Sequence, residues 1–307
     1  MRFNRLDLNQ LVALDALLRE KSVSKAAERI YLSQSAMSNS LTRLREYFQD
    51  ELLVPAGRKM VITSLGERLA PEVKSILISI HKVTQIRETF DISEVDAEVS
   101  IIVSDYVSSV FMPAVVRAVA LEAPNVKIRM SILNGTYLDR LDRGEVDFVI
   151  APENFTHPAH PDEFLFEDRF CCVAWDQNSL LKDVVRFEDY QKLGHVVTQI
   201  EEGRTALFED WFLARHGNIR RIEVICPYFS LLPSLVVGTD RIATVHHELA
   251  KMYQSTFPIS IYELPVEMPA FKEFIQYHKS FGSDQVSLWF RGLLHRVAAQ
   301  MNNHIGI

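Results

Sequence analysis

The chain has 307 residues, 48% of them hydrophobic and 24% charged, which excludes a disordered or fibrous protein and leaves room for about two domains. Its three cysteines, Cys171, Cys172 and Cys226, form no C-x-x-C pair, so neither a disulfide scaffold nor a structural metal site is expected, and no cofactor. The net charge of −7 is uneven: residues 1–90 carry 14 Lys/Arg against 10 Asp/Glu, net +4, while residues 91–307 carry 19 against 30, net −11. A basic head on an acidic body suits a small domain that meets a polyanion. The N-terminus has no apolar signal core and no membrane-length apolar run occurs, so the expected place is the cytoplasm, with no membrane partner.

Residues 7–20 have the spacing of an amphipathic helix, with Asp7 as N-cap. A second short helix is expected behind Ser24 as its cap, with Ala26, Ala27 and Ile30 inward. Tyr31-Leu32-Ser33 is the turn, and Ser33 caps a third helix running to about Phe48. In it Met37, Leu41, Leu44 and Phe48 share one stripe, and Ser35, Asn39, Thr42, Arg43 and Glu46 lie opposite. Short side chains let such a helix enter a groove, and Asn and Arg reach base edges with two bonds each. A wet surface helix has the same periodicity; the turn length and cap positions point to helix-turn-helix. Residues 52–63 then read as two short strands about a Pro/Gly turn, with Arg58 and Lys59 at the tip, where a wing touches phosphate. Ser64-Leu65-Gly66-Glu67 is a capping box opening a helix to about Phe90. Leu69, Val73, Ile76, Ile80 and Val83 step along it by 4, 3, 4 and 3, a seam suited to pairing two copies or to an intramolecular face.

From Val99 the period changes. Strands are expected at 99–103, 126–132 and 147–150, with helices at 108–122 and 137–143 between them, a series that implies parallel pairing. A second series follows, with strands at 170–175, 195–198, 221–226, 242–245 and 259–264. Its helices are expected at 187–193, 206–216, 229–237 and 248–254, and a last helix at 286–300. Two α/β units of similar size suggest a ligand cleft between them. Ligands collect at the carboxyl ends of strands in open α/β sheets. Those ends carry Ser104-Asp105-Tyr106, then Thr198-Gln199 with Arg204 beyond, Tyr228-Phe229, and His246-His247. Helix caps, core aromatics and a solvated His pair are the plainer readings of the same residues. No nucleophile elbow, dinucleotide loop or Walker loop occurs, and Lys251 stands where a zinc-protease pattern needs its second His. Nothing supports an enzyme.

The head resembles the winged helix-turn-helix of LysR-type transcriptional regulators. The resemblance is carried by Ser24-Lys25-Ala26-Ala27-Glu28-Arg29, Leu32-Ser33-Gln34-Ser35-Ala36-Met37-Ser38, and Leu41-Thr42-Arg43-Leu44-Arg45. It continues through Thr63, Gly66, Glu67 and Leu69 and into the body at 220–224 and 231–244. With residues 6–17, those stretches look like the nodulation protein D branch, which includes activators answering to aromatic compounds. Two departures stand out: Ser35 where the family has Pro, and Pro55-Ala56 on the approach to the wing.

The resemblance implies an α/β fold in three parts. They are a winged helix-turn-helix at 1–63 with its motif at about 23–42, a linker and dimerisation helix at 64–90, and an effector-binding domain at 91–307 resembling periplasmic binding proteins. Within the last, one subdomain would take about 96–165 and 266–307 and the other about 166–265. It implies an activator contacting promoter DNA through Ser24, Ser33, Gln34, Ser35, Ser38, Asn39, Arg43, Arg58 and Lys59. Leu69, Val73, Ile76, Ile80 and Val83 would dimerise it, in a homodimer or homotetramer, and RNA polymerase would be a partner. A small aromatic effector, phenolic or carboxylated, would bind at Ser104, Asp105, Tyr106, Thr198, Gln199, Arg204, Tyr228, Phe229, His246 and His247. Related salicylate sensors place a His at Tyr228. A sensor or solute-binding protein without a DNA role is the rival reading, and an enzyme the third.

Overall fold

A computed structural model of the chain describes residues 6–57, 59–85, 90–181, 184–201, 204–205, 207–217 and 219–305. It divides into two compact units, residues 1–89 and 90–307. Among the described residues, no helix is long and apolar enough to cross a membrane.

The head opens with α1 (Leu8–Glu20), where the Asp7 carboxylate accepts the Gln10 N–H at 2.8 Å. Helix α2 (Val23–Arg29) is capped by Ser22, whose Oγ accepts from the Lys25 N–H. This corrects the expected cap, since Ser24 already lies inside the first turn. Tyr31, with φ of 55°, makes the left-handed turn into α3 (Gln34–Phe48). Strands β1 (Leu53–Ala56) and β2 (Lys59–Ile62) pair antiparallel as the wing, and Gly57 supplies the positive φ its turn needs. Helix α4 (Ser64–Gln85) is capped one residue earlier than expected: Thr63 Oγ1 accepts the Gly66 N–H at 3.1 Å and donates to Asp50. Its described part ends at Gln85, and Phe90 lies outside it.

Leu14, Leu17, Met37, Leu44 and Leu53 form the head's core, and Ala26 and Ala27 let α2 pack closely. Val73 of α4 is buried in the same core, with Leu69 and Leu77 packed on it. The seam is therefore split. Its first half closes the head, while Ile76 (45% exposed) and Val83 (67% exposed) remain outward with Ile80 half-buried between them. Spacing could not reveal this, because an apolar stripe fits any apolar neighbour. A Cβ on Gly66 would meet the Ile62 side chain at 2.5 Å, so glycine is what lets α4 start so close to the wing.

The body contains two sheets. The first has order β4-β3-β5-β13-β6 and the second β10-β8-β11-β7-β12, with β9 paired to β8. In the first, β3 (Ala97–Val103), β4 (Val126–Ile132) and β5 (Phe148–Pro152) are parallel, as their alternation with helices requires. Sequence periodicity does not reveal β6 (Asp162–Asp168) or the late strand β13 (Phe271–Tyr277), which returns antiparallel between β5 and β6. In the second, β8 (Gly194–Glu201) pairs parallel with β10 (Arg221–Cys226) and β11 (Ile242–His246). Strands β7 (Phe170–Trp175) and β12 (Ile259–Glu263) run antiparallel, and β9 is Arg204–Thr205. The parallel pairing expected for the 99–150 series holds, and both sheets add antiparallel strands where the chain crosses between them, near 169 and over 264–270.

Helix α5 (Asp105–Val110) follows β3, and α6 (Met112–Glu122) follows a break at Phe111, because Pro113 cannot continue the first helix's bonding. Helices α7 (Tyr137–Asp142), α8 (Phe187–Lys192), α9 (Leu207–His216), α10 (Leu232–Val236) and α11 (His247–Gln254) join the remaining strands. The last helix, α12 (Gln285–Ile305), packs Phe290, Leu293 and Leu294 into the main core of the body.

Candidate nucleic-acid face and ligand cavity

Burying Met37, Leu41 and Leu44 turns the other side of α3 outward, so Gln34, Ser35, Ser38, Asn39, Thr42, Arg43 and Glu46 are all exposed. The Ser33 hydroxyl is committed to its cap, accepting from the Ala36 N–H at 3.1 Å, and lies 3.0 Å from Ser35 Oγ. Thr42 donates to the Ser38 carbonyl, which leaves Asn39 and Arg43 as the long polar side chains at the centre of the face. Ser24 is exposed on α2 and Lys59 on the wing; Arg58 lies outside the described residues. Arg45, absent from the expected contact set, donates to the carbonyls of Glu51 and Leu53 at 2.8 Å each and so fixes the wing to α3.

In the body, a cavity of about 50 Å³ opens at the carboxyl ends of β3, β5 and β11. One water needs only about 10–15 Å³ on such a measure. Of the expected residues, Ser104, Tyr106, Phe229 and His246 line it. Leu133, Pro152, Phe155, Phe170, Leu207, Phe271 and Glu273 complete the wall. Rings dominate. Tyr106 and His246 stack at 3.9 Å, Phe229 meets His246 edge-on at 4.7 Å, and Phe271 lies 5.1 Å from Phe170.

The polar wall groups are few and mostly buried, and Asp168 stands behind Tyr106 outside the wall itself. Tyr106 donates to Asp168 Oδ2 at 2.7 Å, and that carboxylate also accepts the N–H groups of Arg169 and Glu248. Burial nevertheless pushes Asp168 up to about 6. Burial, reinforced by the Asp168 charge, pushes Glu273 up to about 8, and burial drives His246 down to about 3. At neutral pH the imidazole is therefore neutral and Glu273 is mostly the acid form. Neither Glu273 Oε2 nor His246 Nδ1 has a hydrogen-bond partner among the described residues. Apolar walls with a few convergent polar atoms are the usual make-up of a small-molecule site.

Asp105, Thr198, Gln199, Tyr228 and His247 lie off the wall, and the Arg204 side chain lies outside the described residues. Strand β8 runs on to Glu201 and pairs with β9, so Thr198 is buried inside the strand, opposite Cys226, instead of ending it. Gln199 and the backbone of Arg204 belong to that pairing. Tyr228 is extended and 45% exposed, because neighbours in extended chain point opposite ways and Phe229 faces in. His247 likewise opens α11 beside Arg169, 3.1 Å away. Asp105 ties the fold together instead, because its Oδ2 accepts the Ser230 N–H at 2.8 Å and joins α5 to the turn after β10. Asp168, His247 and Glu248 bring ligand-type atoms within 4.8 Å of one another. Asp168 is filled by its three donors, and Glu248 pairs with Lys251 at 2.9 Å, so the group is a protein-internal network.

Comparison with known proteins matches both units. Residues 8–67 fit the bacterial regulatory helix-turn-helix protein, lysR family, and residues 93–299 fit the LysR substrate binding domain. Nodulation protein D 1 of Rhizobium leguminosarum bv. phaseoli is 42% identical over 301 residues, 98% of this chain and 96% of its own. A probable transcriptional regulator of Pseudomonas aeruginosa superposes with a TM-score of 0.64 at 26% identity, covering 95% of this chain and 97% of its own. A full-length OxyR variant from the same organism gives 0.72 at 15% identity over 95% and 94%, a likeness of fold alone.

Proposed function

Since the chain belongs to the LysR family of DNA-binding transcriptional regulators, and so is not an enzyme, we propose that it is an activator controlled by a small aromatic effector held in the body cavity. The observation that carries the effector class is the wall of rings: Tyr106, Phe155, Phe170, Phe229, His246 and Phe271. A flat ligand stacks there with little loss of hydrogen bonds, whereas a polar aliphatic metabolite would leave most of its donors unpaired. The exposed face of α3 is its contact with promoter DNA, RNA polymerase is a partner in activation, and the cytoplasm is its place of work. Calorimetry of the full-length protein against phenols, aromatic acids and flavonoids tests the effector class. Aromatic binding should weaken on Phe229→Ala and Ser104→Ala. Binding only by aliphatic metabolites, or aromatic affinity indifferent to both changes, would defeat it.

The outward half of the α4 seam supports a homodimer, which body contacts would extend to a tetramer. Ile76 and Val83 lie two turns apart on one stripe with Ile80 between them, and apolar side chains left in water favour a second copy. Ile76→Asp with Val83→Asp should shift sedimentation to a smaller assembly while the far-ultraviolet circular dichroism stays unchanged. Val73 is the wrong choice for this test, because changing it damages the head's own core. An unaltered assembly in the double variant would reject the seam.

A further inference from the structure

Glu273 is the one wall residue that an aromatic cavity does not explain. Strand β13 turns Phe271, Glu273 and Ile275 inward, so a carboxyl occupies a slot suited to an apolar side chain. It is 2% exposed, and its Oε2 is unpaired among the described residues. Leaving such a group unsatisfied costs stability, and natural proteins break packing rules of this kind chiefly at functional sites. The titratable groups around it are Tyr106 from α5, His246 from β11 and Asp168 from β6, with Glu248 of α11 behind Asp168. Among the described residues, no Lys or Arg lines the cavity.

We propose that Glu273 sets the ligand class of this cavity: its carboxyl, through the Oε2 that has no partner among the described residues, takes the hydroxyl of an uncharged aromatic molecule and, with Asp168, turns away aromatic carboxylates. The inference rests on reading the cavity as an aromatic-effector site, and narrows it. A carboxylic acid meets a hydroxyl on both sides, donating through its O–H and accepting through its C=O. The upward push on Glu273 keeps that acid form present at neutral pH. A carboxylate ligand would instead bring a negative charge towards buried Asp168, with no Lys or Arg among the described wall residues to offset it, and like charges in such a place are costly. Raising the pH past about 8 ionises Glu273, removing its donor and adding a charge beside Asp168.

The test titrates full-length protein with three one-ring probes that differ in charge, benzyl alcohol, benzoate and benzylamine, by ligand-observed NMR. Wild type should bind benzyl alcohol at least ~10-fold tighter than either charged probe at about pH 7, and lose ~10-fold by about pH 9.5. Glu273→Gln keeps a donor and an acceptor, so it should stay within ~3-fold of wild type at about pH 7 and lose the pH step. Glu273→Leu should bind benzyl alcohol ~10-fold more weakly while melting no lower than wild type. Preference of the wild type for benzoate or benzylamine, or undiminished binding of benzyl alcohol by Glu273→Leu, would overturn the proposal and leave the aromatic reading standing. Failure of wild type to bind any of the three would remove both.

Discussion

Changing Asn39 and Arg43 together to Ala is expected to abolish most of the protein's preference for its operator while leaving weak binding to unrelated DNA. Both side chains stand on the exposed face of α3, and neither is needed for the packing of Met37, Leu41 and Leu44. A bidentate contact to a base edge contributes ~1–3 kcal/mol of discrimination, so the pair should change the specific-to-nonspecific ratio by at least ~30-fold. Gel-shift titrations of the double variant and wild type, on operator and scrambled duplexes at one fixed salt concentration, measure that ratio. Affinity for both duplexes should also fall steeply with salt, because the phosphate contacts release counterions. A ratio that survives the double change would move base reading away from this helix face.

The largest effect on stability is expected at Glu209. Its carboxylate pairs with Arg220, whose side chain is only 5% exposed and whose guanidinium lies 4.2 Å from the centre of the Phe212 ring. Glu209→Ala leaves that cation buried among aromatic rings, with a long 3.5 Å hydrogen bond to the Tyr190 hydroxyl as its remaining described side-chain partner. An uncompensated buried charge of this kind costs about 3–5 kcal/mol. Adding Arg220→Met should recover most of the loss, since the ring contacts suit an apolar side chain as well. Urea unfolding followed by tryptophan fluorescence reads both variants. Equal midpoints for wild type and Glu209→Ala would mean that the pair is solvated in the folded protein.

Where local chemistry decides, sequence and structure agree closely. The Asp7 and Ser33 caps, the stripe of α3 and the strand ends at Ser104 and His246 follow from short-range pattern. The missing parts depend on distant neighbours. Strand β13 has no clear signal because Glu273 and Gln276 interrupt its apolar run, and their inward places exist only once β5 and β6 flank them. Four wall residues therefore have no local signature: Phe170 and Phe271, brought in by the crossings between sheets, and Leu133 and Phe155, brought in by loops. Thr198 departs from expectation for a related reason, since the continuation of β8 to Glu201 depends on its pairing with β9. The apolar spacing of α4 is clear in the sequence, but its partner is not.

Because Val73, Leu69 and Leu77 pack into the core that also holds Met37, Leu41 and Leu44, α4 and α3 share one packed core. Helix α4 is 22 residues long, which makes it a lever of about 33 Å. A tilt of about 10° at its far end would carry the head sideways by about 6 Å, close to two base-pair steps along a duplex.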